Sequence, residues 1–96
     1  MSHTVMLEIK CNKGAGAEFL PGVLASLAET RAYKGCELVE TYLDAADPDR
    51  IVLWEKWAER ANQEAYMNWR IESGMIEALA PVLAEPLRIV HLGAVD

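Results

Sequence analysis

The stretch from Ile51 to Trp69, IVLWEKWAERANQEAYMNW, constrains the fold more than any other, because its hydrophobic period changes from a strand's to a helix's at a single tryptophan. Ile51, Leu53, Glu55 and Trp57 alternate with Val52, Trp54 and Lys56, so both faces are largely apolar, as in a strand covered on two sides. Beyond Trp57, residues Ala58, Ala61, Ala65 and Trp69 recur at helical spacing among polar neighbours. That pattern predicts an amphipathic helix with those four turned inward and Tyr66 beside the stripe. Two tryptophans on the strand and one on the helix gather flat side chains around one junction, which forms either core or an aromatic pocket.

The rest of the chain extends this unit. Thr4 to Cys11 alternates Val5, Leu7, Ile9 and Cys11 against Thr4, Met6, Glu8 and Lys10, a strand with one apolar face. A helix follows from about Ala17 to Tyr33 with Phe19, Leu20, Val23, Leu24, Leu27 and Ala28 as its stripe; Pro21 is tolerable there only in the first turn. Lys34-Gly35 stops it. Cys36 to Leu43 reads as a second strand, and Asp44 to Arg50, with Asp47-Pro48-Asp49, as the turn of a hairpin. After Ser73-Gly74, Met75 to Leu83 predicts one or two helical turns, with Met75 and Ile76 capping the core, and Leu87 to Val95 a last strand. Strand, helix, strand, strand, helix, strand predicts an α+β, ferredoxin-like four-stranded antiparallel sheet with helices on one face. The other face would expose Met6, Val39, Leu43, Val52, Trp54, Val90 and Leu92. Such a patch exceeds what soluble monomers show, so a homodimer joined sheet to sheet is expected, with Trp54 as its anchor.

With 96 residues, 52% of them hydrophobic and 25% charged, residues 1–96 are expected to form a single globular domain. Fifteen acidic against nine basic residues give a net charge of −6, which repels phosphate backbones and argues against nucleic acid as a partner. No segment is long and apolar enough to suggest a membrane span, and nothing before the first strand resembles a secretory signal; cytoplasmic residence is the expectation. Cys11 and Cys36 are too far apart for a zinc or redox pair and read as free thiols. HExxH, CxxC, GxGxxG and GxxxxGK[ST] patterns are all missing, and the aspartates at 44, 47 and 49 lack calcium-loop spacing, so neither a metal nor a cofactor is expected.

Gly35-Cys36 after the first helix, Asp47-Pro48 in the hairpin, and Glu55-x-Trp57 leading into the alanine-rich helix resemble the antibiotic biosynthesis monooxygenase domain, a small dimeric α+β barrel. The resemblance runs from the first strand to the last. It implies oxidation of polycyclic phenols or quinol-like compounds by molecular oxygen without metal or flavin, in a pocket between sheet and helices. Where many members carry a histidine, nine residues after the strand's tryptophan, this chain has Tyr66. Leu7 occupies the position of the asparagine sought by the haem-degrading branch, so haem degradation is disfavoured.

If Val5, Leu7 and Ile9 face the helices, alternation puts Glu40, Tyr42, Glu55, Trp57 and His91 on the same side. Several polar groups on one inner face imply a hydrogen-bonded network or a wet pocket. His91 is the first candidate for a general base, since imidazole titrates near neutrality and deprotonating a phenol makes an anion able to react with oxygen. Tyr66 is the second catalytic candidate. Trp57 and Trp69 suit stacking on a planar aromatic substrate, Glu55, Glu40 and Tyr42 could hold its hydroxyls, and Leu7 would line the pocket. The competing expectation is a non-catalytic dimeric domain that holds a small hydrophobic molecule, or whose pocket is packed shut.

Overall fold

The computed structural model describes residues 2–96. The elements run β1 (His3–Lys10), α1 (Gly16–Ala32), β2 (Cys36–Asp44), β3 (Asp47–Trp57), α2 (Arg60–Glu72), α3 (Met75–Leu79) and β4 (Arg88–Leu92). All strand pairs are antiparallel in the order β2-β3-β1-β4, the ferredoxin-like α+β arrangement, with the helices on one face.

Alternation on β1 and β3 turns Val5, Leu7, Ile9, Ile51, Leu53, Glu55 and Trp57 inward, and all seven are buried. Leu7, Ile9, Ile51 and Leu53 meet Val23 and Leu27 of α1, Met67 of α2 and Leu79 of α3 in the main core. Val5, Trp57 and Tyr66 form a smaller aromatic cluster beside it.

Strand β2 departs from simple alternation. Its pairing with β3 shifts between Cys36 and Leu38, a bulge that adds one residue and moves every later side chain to the opposite face. Val39 and Leu43, expected on the open face, therefore share the helix side with Glu55 and Ile51, and Val39 is buried. Leu38, Glu40 and Tyr42 take their places opposite Lys56, Trp54 and Val52.

Other boundaries also move. The hairpin turn is only Ala45-Ala46, because the Asp44 carboxylate accepts the Ala46 N–H at 2.8 Å and Asp47 to Asp49 already belong to β3. Helix α1 starts at Gly16 because the Asp49 carboxylate accepts the N–H groups of Gly14 and Gly16 at 3.0 to 3.1 Å, an anion at the positive end of a helix. Pro21 consequently lies beyond the first turn, on an exposed surface of the helix. Leu24 and Ala28 point outward instead of joining the stripe, and Ile76 is exposed while Met75 packs on the core. Strand β4 ends at Leu92 rather than Val95.

In α2 the buried residues are Gln63, Tyr66 and Met67, whereas Ala61 and Ala65 are exposed. A capping box sets this rotation: Glu59 and Asn62 exchange side-chain and backbone bonds at the helix start. Gly35 fixes it further, since at φ +89° it packs so closely on the Asn62 side chain that a Cβ would overlap it. Turning Tyr66 and Met67 inward also buries far more apolar surface than two alanines would.

Candidate functional site

The inner face of the sheet divides into two neighbourhoods. Near the start of α2, His91 shares a face with Val5 and Glu55. Its Nδ1 lies 2.8 Å from His3 Nε2, so one ring donates to the other. Burial, reinforced by the positive charge of Arg60 and by His3, pushes the His91 imidazole below its ordinary pKa. Glu55 is 1% exposed and accepts the Trp57 indole N–H at 2.9 Å. Burial outweighs that bond and raises its carboxyl above the usual range. Trp57 itself is fully buried, its ring 5.1 Å from that of Tyr66.

The bulge in β2 removes two expected members from this face. Glu40 and Tyr42 lie on the open side of the sheet, where the Tyr42 hydroxyl donates to Glu40 at 3.0 Å. That bond to a carboxylate, helped by its charge, raises the Tyr42 pKa. Neither residue faces the helices, so the expectation that they share a pocket with Glu55 and His91 is corrected.

The second neighbourhood is a cleft of about 330 Å³ between α1, the α2–α3 junction and the sheet, at the small end of the roughly 300–1,000 Å³ typical of ligand pockets. Leu7, Ile9 and Leu53 make its floor, and Phe19, Val23, Met75 and Leu79 its apolar walls; Gly22, Ser26, Ser73 and Gly74 also border it. Tyr66 and Arg70, one turn apart on α2, close one side.

These two are locked to α1 by a polar network. Arg70 Nε donates to the Tyr66 hydroxyl at 2.7 Å, and Arg70 Nη2 to the Ser26 carbonyl at 2.8 Å and to Thr30 Oγ1 at 3.2 Å. Tyr66 Oη and Thr30 Oγ1 are 2.6 Å apart. Either hydroxyl can donate to the other; Thr30 also has the Ser26 carbonyl within 3.4 Å. Thr30 is 1% exposed and Tyr66 6%, so the hydroxyls are held in a nearly dry setting where such networks are rigid. Arg70 also stacks 4.7 Å above the Trp69 ring.

The structure thus brings Leu7 and Tyr66 together in the cleft, with Trp57 and Trp69 supporting Tyr66 from behind. His91 and Glu55 lie outside its lining. Arg70, Thr30 and Ser26 were missed by sequence reasoning; the signal was available as the i, i+4 pair Tyr66–Arg70 and as polar residues interrupting the apolar stripe of α1. Among the described residues no three His, Cys, Asp or Glu side chains gather as a metal site would require, and no helix is long and apolar enough to cross a membrane.

Residues 2–80 match the family model described as antibiotic biosynthesis monooxygenase. The chain belongs to that family. Solved structures agree on the fold of this antibiotic biosynthesis monooxygenase domain. A crystal structure itself described as antibiotic biosynthesis monooxygenase is 19% identical at a TM-score of 0.85, covering 98% of this chain and 99% of that one. Rv0793 from Mycobacterium tuberculosis is 20% identical at 0.78, covering 100% and 97%. PA3566 from Pseudomonas aeruginosa is 23% identical at 0.79, covering 99% and 95%. No curated protein matches the chain.

Proposed function

We propose that this single-domain, cytoplasmic protein is a cofactor-independent monooxygenase acting on a small aromatic or quinol-type compound, with the cleft as its substrate site. The observation that carries the reading is an apolar cleft ending at a buried tyrosine hydroxyl held in place by an arginine and a threonine. A flat ring lies on Leu7, Ile9 and Leu53, and its hydroxyl hydrogen-bonds to Tyr66 Oη. Solvent water at the open side of the cleft takes the substrate's proton and leaves an electron-rich anion. For an anthrone-like substrate the anionic ring carbon bonds to O2; the resulting peroxide loses its second carbon-bound proton and expels water, so a CH2 and O2 become a carbonyl and H2O. The protein contributes orientation of the ring and its hydroxyl rather than a redox centre.

The same proposal includes a homodimer formed through the open face, where Met6, Val52, Trp54, Val90 and Leu92 share one side of the sheet. The Glu8, Arg50, Asp44 and Arg88 ion pairs border that surface; Arg50, hydrogen-bonded to Glu8, holds its carboxyl below the usual range.

Oxygen consumption by purified protein with hydroxynaphthoquinols, anthrones and catechols tests the activity, with Tyr66→Phe as control. Uptake that exceeds the control is expected for at least one compound; uptake equal to the control for all of them overturns catalysis. One observation favours a second reading, that the domain binds such a compound without transforming it. Among the described residues, no histidine, carboxylate or thiol lines the cleft to take the proton.

A further inference from the structure

The cleft walls carry one charge among the described residues, that of Arg70. Arginine has five N–H donors. Four are used: Nε on Tyr66, both Nη2 hydrogens on Ser26 and Thr30, and one Nη1 hydrogen on the Glu29 carboxylate at 3.3 Å. The second Nη1 hydrogen has no acceptor among the described residues. Glu29 differs from the other three partners. Its side chain is 62% exposed against 16% for Arg70, and an exposed ion pair of that kind contributes at most about 1 kcal/mol. Nη1 is therefore the replaceable end of an otherwise fixed guanidinium, and the carboxylate it now holds belongs to Glu29, an exposed residue outside the cleft lining.

We propose that the cleft selects aromatic carboxylic acids, the ligand's carboxylate displacing Glu29 from Arg70 Nη1 while its ring lies on Leu7, Ile9 and Leu53. This deepens the reading of the cleft as a substrate site and rests on it. The single guanidinium among the cleft-lining residues balances one carboxylate, so ligands of single negative charge fit best.

The experiment compares 3-hydroxy-2-naphthoate with 3-hydroxy-2-naphthamide, equal in size and differing in charge, followed by tryptophan fluorescence and calorimetry at neutral pH. The acid should bind about tenfold more tightly than the amide, as one charge-assisted contact supplies. Arg70→Gln should erase that preference while leaving amide binding within about threefold. Glu29→Gln, at an exposed position that keeps the fold intact, should tighten acid binding only. Equal binding of acid and amide, with no response to Glu29→Gln, overturns the carboxylate proposal while leaving the cleft as an aromatic site. No binding of either compound overturns both.

Discussion

Removing the Tyr66 hydroxyl tests the network that joins the two long helices. Tyr66→Phe keeps the ring in its cluster with Trp57 and Tyr33 and deletes two hydrogen bonds. The bond to Thr30 is between neutral groups and contributes about 1 kcal/mol net, while the one from Arg70 is charge-assisted and contributes about 1.5–3 kcal/mol. Arg70 keeps its contacts to Ser26, Thr30 and Glu29 and is 16% exposed on its side chain, so water partly replaces the lost acceptor and the lower end applies. The expected loss is about 2–3 kcal/mol, or about 10–20 °C in Tm for a domain of this size. Urea unfolding with an unchanged m-value measures it. Thr30→Val removes the Tyr66 bond together with the charge-assisted one from Arg70 and should also cost about 2–3 kcal/mol, and the double variant should cost less than the sum, because both changes remove the same Tyr66–Thr30 bond. A Tyr66→Phe loss below about 0.5 kcal/mol, or strict additivity with Thr30→Val, refutes the claim that this network stabilises the packing of α1 on α2.

Gly16→Ala should destabilise by at least about 2 kcal/mol, because the added Cβ overlaps the Pro48 carbonyl oxygen and lies 2.7 Å from the Asp49 Cα; a thermal melt within a few degrees of the parent would contradict this close approach. Glu55→Gln addresses pH dependence. A carboxyl whose pKa is raised in the fold contributes stability that is full below the unfolded carboxylate pKa and is lost as pH rises through the folded value. The parent should therefore lose stability relative to Glu55→Gln as pH rises from about 4 toward neutrality, and parallel profiles would show that burial does not perturb Glu55. Trp54→Ala should convert the expected dimer to monomer at micromolar concentration and cost about 3–5 kcal/mol of coupled folding and association; light scattering that finds the parent already monomeric removes the interface.

Strands β1 and β3 were legible because the alternation from Val5 to Ile9 and from Ile51 to Trp57 is regular and interrupted only by Glu55. Strand β2 was not, since a bulge is a property of pairing with a neighbour: nothing within CELVETYLD announces that the frame changes after Cys36. The rotation of helix α2 differs from the one its alanine spacing predicts, because spacing weights alanines equally with Tyr66 and Met67 and the capping box at Glu59 and Asn62 sets the orientation. In the cleft, Leu7 and Tyr66 were found from strand parity and family resemblance. Arg70 escaped notice because a charge on a helix reads as solvated until its partners on another helix are known.

Gly22 borders the cleft from the middle of α1, and an added Cβ there meets nothing within 4 Å. A glycine inside a helix lowers its stability by about 0.5–1 kcal/mol relative to alanine, so this position keeps an aperture open at the expense of the helix that frames it. Alanine or another good helix former placed there strengthens α1 and narrows the entrance together. Gly22 is thus a calibrating point, where branched or longer residues would grade the family's shared scaffold by guest width without disturbing the sheet beneath.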